Sequence, residues 1–251
     1  MTIDAMTMPP RSTDSQQPFV ILALPRTGST LLTSLLDSHP QITCHNEPFN
    51  PHGIFTSDQR LQSEDMRAYR DEDPIRFMEL LYSAGGDDRI VGFKILEYQA
   101  RDVQDHLLQR PDIRKVILRR DNMLASYSSN LIANKVRQWR VEAGNRARRT
   151  TLEFDPGKFH SYVNHAARYD QHVKDLIDSS GSPMMAMEYR DLLRREAQKK
   201  LLVFLGADPA YRMSSTVIRQ NPGRLRNRFS NWDQVVAALS GTAMDEWLHG
   251  D

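Results

Sequence analysis

The stretch FVILALPRTGSTLL, Phe19 to Leu32, constrains the fold more than any other part of the chain. It opens apolar and strand-forming, then breaks at Pro25, Arg26 and a lone Gly28 before two hydroxyl residues and a leucine-rich stripe. That order predicts a strand, a tight loop and the start of a helix. Such a loop turns successive backbone N–H groups toward one point, and the helix N-terminus adds partial positive charge. The natural occupant is a phosphate or a similar anion. An ordinary strand-to-helix turn with a glycine in it is the alternative that this stretch alone leaves open.

The chain beyond it supplies the rest of a sheet. Leu31, Leu32, Leu35 and Leu36 share one helical face, ending near His39-Pro40. Ile42 to Cys44 reads as a short strand, and Asn46 to Gly53 as a loop punctuated by Pro48, Pro51 and Gly53. Asp73-Pro74 caps and starts a helix through IRFMELLYSA, which Gly85-Gly86 ends. Arg89 to Leu96 is a strand with Lys94 near its end, Val103 to Leu108 a helix, and Arg114 to Arg119 a buried strand. Strand, helix and strand in that order imply parallel pairing and a right-handed crossover. Arg119 and Arg120 end the last strand, Asp121 can cap the next helix, and Met123, Leu124, Tyr127, Leu131 and Ile132 form its buried face. Ligands of open parallel sheets sit outside the carboxyl ends of the strands. Two anion sites on that edge suggest one ligand with two phosphate-like groups, against the alternative of an arginine pair on a solvated surface.

Charge limits the partners. The 251 residues carry 33 Lys and Arg against 32 Asp and Glu, a net charge of +1, so no global basic excess recommends a nucleic acid and any anion site must be local. The single cysteine, Cys44, excludes an intrachain disulfide. His39, Cys44, His45 and His52 match no usual zinc spacing, and no metal is expected. No apolar run approaches the ~20 residues of a spanning helix, and the N-terminus lacks the basic-then-apolar order of a signal peptide, so the chain reads as cytoplasmic. Residues 1–18 are polar and unpatterned, a flexible arm, and 19–251 form a single domain. Its later part holds a long helix over Lys158 to Ile177 and a strand over Pro183 to Glu188.

Four motifs together carry a resemblance: PRTGSTLL at Pro25 to Leu32, EPF at Glu47 to Phe49, GFKI at Gly92 to Ile95, and VILRRDNMLASYSS at Val116 to Ser129. In this order they resemble the sulfotransferases that use 3'-phosphoadenosine 5'-phosphosulfate (PAPS) and release PAP. The likeness is to the carbohydrate branch, which includes nodulation-factor and glycolipid sulfotransferases. It implies an α/β, P-loop-like three-layer fold with a central, mostly parallel sheet flanked by helices. It also assigns the 5'-phosphosulfate to Arg26, Thr27, Gly28, Ser29 and Thr30, and the 3'-phosphate to Arg120 and Ser128. Ser129 is a rival to Ser128, and Arg119 to Arg120. Glu188 to Leu192 and Phe204-Leu205-Gly206 resemble the family's Tyr-Glu-Asp-Leu and Phe-Leu-Gly segments, which sets Tyr189 against the adenine. GRLRNRFSNWDQV resembles the loop that closes over the nucleotide, with Arg224, Arg226, Arg228, Asn231 and Trp232 in it.

The resemblance makes Glu47 the general base, with His45 as runner-up, while Arg26 and Lys94 stabilise the leaving phosphate without a metal. A P-loop phosphotransferase would need a lysine after Gly28, where Ser29-Thr30 stand. A catalytically silent anion-binding protein on the same fold remains a second reading. The segment Lys135 to Arg149 has six Lys or Arg residues against one Glu, with Trp139 among them. It is a candidate for holding a carbohydrate or glycolipid acceptor or for touching an anionic membrane surface, or else is a solvated helix face. The sequence leaves the oligomeric state open.

Overall fold

From Phe19 onward β1 (Gln17–Ala23) is wholly buried. Val20 and Leu22 enter one apolar layer, and Phe19, Ile21 and Ala23 the other, as in a strand covered on both faces. The computed structural model describes residues 17–84, 90–141, 143–218, 220 and 223–249. Most of the expected N-terminal arm, the Gly85-Gly86 stop and Arg89 therefore lie outside the described residues. The strand starts two residues before Phe19, because Gln17 and Pro18 pair with Ile90 and Val91.

β1 pairs in parallel with β3 (Ile90–Leu96) on one side and β4 (Arg114–Arg119) on the other. β2 (Ile42–His45) and β5 (Met184–Glu188) complete the order β2-β3-β1-β4-β5, with every pairing parallel. This is the α/β fold with a parallel sheet that the element order implied. Gly92 faces Phe19 across the β1–β3 ladder, where a Cβ would lie 2.5 Å from the ring and from the Phe19 carbonyl.

α1 (Ser29–Asp37) and α7 (Arg195–Leu205) cover one face through Leu32, Leu35, Leu36, Leu201, Leu202 and Leu205. Burying each such leucine stabilises the fold by about 1.5–3 kcal/mol. On the other face α3 (Pro74–Ser83), α4 (Arg101–Leu108) and α6 (Pro156–Ser180) contribute Phe77, Leu81, Val103, Leu107, Tyr169 and Val173. As expected, Asp73 caps α3, accepting from the Arg76 N–H at 3.0 Å, and Pro74 is its first residue. A polar helix that the sequence patterns had not revealed, α2 (Glu64–Glu72), precedes it. α5 (Met123–Val136) and α8 (Trp232–Leu239) share a third apolar cluster with the start of α6 around Tyr127, Phe154, Phe159 and Phe229. The cap of α5 is Asn122, whose Oδ1 accepts from the Ala125 N–H at 2.8 Å, and not Asp121. Asp121 instead pairs with Arg190 at 3.1 Å.

Candidate active site

Three strands end at one place. The loop after β1 lies between the ends of β3 and β4, the crevice where parallel sheets take their ligands. Its backbone is left-handed twice, at Arg26 (φ 67°) and Gly28 (φ 92°). A side chain at Gly28 would place a Cβ 2.5 Å from the Tyr189 ring, so both conformation and packing require glycine there. Thr27 Oγ1 donates to the Leu24 carbonyl at 2.9 Å and is buried, so it closes the loop from behind and does not face the cleft. Gly28 offers α1 no capping side chain, and no acid stands in its first turn.

The cleft above the loop has a volume of about 640 Å³ and is lined by Arg26, Arg120, Arg140, Arg190, Arg195, Arg212 and Arg228, with Gly28, Ser29, Thr30, Ser129 and Tyr189. No Asp or Glu stands among its described lining residues. In a chain of net charge +1, this is the local excess that an anion site required. Burial, and then the neighbouring Arg120 charge, lowers Arg26 to about 10. Its guanidinium crosses the cleft: Nε donates to Ser129 Oγ at 3.1 Å, Nη1 to the Trp139 carbonyl at 2.8 Å, and Nη2 to Gln220 Oε1. Arg120 lies 4.5 Å over the Tyr189 ring, and its Nη1 donates to the Arg26 carbonyl at 3.2 Å.

The structure places several of the expected site residues apart from this cleft. Ser129, and not Ser128, faces the cleft; Ser128 is fully buried and accepts from Arg228 Nη1 at 3.0 Å. Asp121 and Asn122 stand outside the helix, so counting eight residues from Arg120 reaches the wrong face of α5. Arg119 turns away to Asp170 at 3.3 Å, leaving the cleft to Arg120. Arg224, Arg226 and Trp232 line a separate cavity of about 590 Å³. They miss the first cleft because Leu225–Arg228 is a 3-10 turn, which puts residues three apart on one side. Leu225 and Arg228 are accordingly buried, while Arg224 and Arg226 are exposed. Trp232 packs near Phe229, ring centres 6.3 Å apart.

Behind the loop, toward β3, the chemistry changes. Lys94 is fully buried, and its Nζ lies 2.8 Å from Glu47 Oε1 while donating to Thr30 Oγ1 at 3.1 Å. Glu47 Oε2 accepts from Asn50 Nδ2 at 2.7 Å and from Gln99 Nε2 at 2.8 Å. Burial pushes the Glu47 carboxyl up, but the Lys94 charge and the hydrogen bonds from Lys94, Asn50 and Gln99 outweigh it and hold it below the usual carboxylate range. Burial lowers Lys94, and Glu47 opposes that shift. Glu47 and Lys94 do not themselves line the cleft; Thr30, which does, joins them to it. His45, the rival base, is buried against Ser57, Nδ1 to Oγ at 2.9 Å, and desolvation lowers it to about 4. Its ring faces the loop beyond β2.

Sequence reasoning missed Gln99, which is 1% exposed and ties Glu47 to the end of β3 through the Leu96 N–H at 3.0 Å. It also missed Arg195 and Arg212, whose distance from the strand ends left no local signal. Trp139 and Arg140, from the basic middle segment, line the arginine cleft and not the Glu47 side. Arg148 bonds back to the Val136 carbonyl at 3.2 Å. Among the described residues no helix is long and apolar enough to cross a membrane, and no group of three or more His, Cys, Asp or Glu is placed to hold a metal.

Nodulation protein H of Rhizobium tropici is 29% identical to this chain over 238 residues, covering 92% of each chain. Nodulation protein H of Rhizobium meliloti strain 1021 is 27% identical over 221 residues, or 85% of this chain and 87% of that one. The crystal structure of a sulfotransferase from Alicyclobacillus acidocaldarius shares the fold, with a TM-score of 0.50 at 18% identity over 93% of this chain and 96% of the other. The model of the sulfotransferase family matches residues 18–208, which is most of the chain and includes the loop, Glu47, Lys94 and the Arg120 strand end, and the chain belongs to that family.

Proposed function

We propose that this sulfotransferase uses PAPS as its donor, with a hydroxyl of a carbohydrate or glycolipid as acceptor and Glu47 as general base. The observation that carries the reading is the Thr30–Lys94–Glu47 connection, which joins an arginine-lined cleft to a carboxylate held ionised beside it. The residues suit an anionic donor: the loop N–H groups, Arg26, Arg120 and Ser129 meet in one cleft whose described lining holds no acid. When bound, the donor supplies an activated S–O bond to phosphate.

Glu47 takes the acceptor proton as the new O–S bond forms and the S–O bond to phosphate breaks. Negative charge then grows on the leaving phosphate, where the loop amides and Arg26 stand ready, with Lys94 joined to the cleft through Thr30. An ATP-using transferase needs a carboxylate for Mg2+ beside the loop, and the described lining of the cleft carries none.

Titration calorimetry in EDTA should show PAP binding to wild-type protein and to Glu47→Gln alike. With PAPS and an acceptor, the same variant should lose transfer by about 10²–10⁴-fold. Undiminished turnover in Glu47→Gln would remove that residue from the mechanism. PAP binding without transfer to any glycan would favour the silent binding protein.

A further inference from the structure

The region around Glu47 shows more than a base. Glu47 and Phe55 form an isolated antiparallel bridge, Glu47 N–H to the Phe55 carbonyl at 2.9 Å and Phe55 N–H to the Glu47 carbonyl at 3.2 Å. Residues paired in this way put their side chains on the same side of the ladder. Phe55 is 46% exposed although it is a large apolar residue. Tyr98, just past β3, is 54% exposed, and the Gln99 Nε2 that donates to Glu47 Oε2 also reaches the Tyr98 hydroxyl at 3.4 Å. Two exposed aromatic side chains thus adjoin one carboxylate, Phe55 paired with Glu47 across the backbone bridge and Tyr98 joined to it through the Gln99 amide.

We propose that Phe55 and Tyr98 form the acceptor platform, on which a neutral pyranose ring lies with one hydroxyl presented to Glu47. The proposal rests on the reading of Glu47 as base and adds the part of the molecule that recognises the acceptor. An aromatic face suits the C–H face of a sugar, leaving its hydroxyls to polar neighbours at the edge. Those neighbours are here. Glu97 accepts from His165 at 2.7 Å beside Tyr98, and Asn50 flanks Glu47.

Charge decides which sugar. Lys94 is consumed by Glu47, no other cation bonds that carboxylate among the described residues, and Glu97 adds a second acid. A uronate would bring a carboxylate for which the neutralised Lys94–Glu47 pair offers no spare cation, where a neutral ring brings none. The basic segment from Lys135 to Arg149 is thereby released from acceptor recognition, since its Trp139 and Arg140 serve the arginine cleft.

The test measures PAPS-dependent sulfation of cellotetraose, maltotetraose and chitotetraose and of oligouronates of equal length, with PAP affinity and melting temperature as controls. Phe55→Ala and Tyr98→Ala should each raise the acceptor KM by about 2- to 10-fold. Tyr98→Phe should stay near wild type, and PAP affinity should not move in any of them. Neutral sugars should be preferred to uronates. If wild-type protein sulfates a neutral glycan but the double variant keeps its KM, the platform is overturned while the base assignment stands. Preference for uronates also overturns it. If wild-type protein sulfates no pyranose while binding PAP, the carbohydrate reading falls and takes the platform with it.

Discussion

Two regions on the same sheet edge handle charge in opposite ways. Arg26 and Arg120 crowd each other, and the cleft they share contains no compensating acid among its described lining residues. One strand away, Lys94 and Glu47 neutralise each other at 2.8 Å, and Asn50 and Gln99 complete the carboxylate's hydrogen bonds. On the proposed reading the first region is completed by the donor's negative charge, while the second, whose carboxylate is already paired and hydrogen-bonded, needs only a neutral hydroxyl to approach it. A group-transfer site that moves an anionic unit onto a neutral acceptor requires this division, and Thr30 is the residue that touches both halves.

The division can be broken from the donor side with the largest effect. Arg120→Ala removes a buried cation from the cleft and should weaken PAP binding by about 2–4 kcal/mol, roughly 30- to 1,000-fold in Kd by calorimetry. The acceptor KM, read at saturating PAPS, should stay within about 2-fold by the additivity of separated sites. A parallel loss of both would mean that the two regions are one.

Breaking the other side gives a smaller effect, visible in the pH profile. In Lys94→Met the burial that raises Glu47 is no longer opposed by the ammonium. Wild-type Glu47 stays ionised to below the usual carboxylate range, so if it is the base, activity should persist there and be lost only as pH falls through that depressed value. The variant's acid limb in kcat/KM should therefore move to higher pH. An unmoved limb would show that Lys94 does not hold the base ionised.

The mildest probe is salt. Raising KCl from about 0.05 to 0.5 M should weaken PAP binding by several-fold, while a neutral acceptor's KM changes by less than about 2-fold, because screening acts on charge pairs. Equal responses would erase the distinction.

Much of this division is legible in the amino-acid sequence. Arg26, Gly28 and Arg120 can be picked out because each sits just beyond an apolar run, and Lys94 because it is the lone charge within one, near its end. Glu47 is legible through its turn. What fails is phase: a two-residue gap before α5 exchanges Ser128 for Ser129, and a 3-10 turn exchanges Arg224 and Arg226 for Arg228. One residue of error in a helix rotates a side chain by about 100°. What cannot be read at all is long-range pairing. Gln99 under Glu47, Phe55 across from it, and Gln220 against Arg26 meet only once the chain has folded.

The three bonds of Arg26 to Ser129, Trp139 and Gln220 have a consequence for what the cleft admits. All three acceptors are uncharged, so a neutral newcomer such as water or a sugar hydroxyl gains nothing by replacing them. A phosphate or sulfate oxygen does, since charge-assisted hydrogen bonds are roughly twice as strong as neutral ones. If the proposed donor binds here, Arg26 acts as a turnstile that yields only to charge and keeps a neutral acceptor out of the donor's seat without any wall being built to exclude it.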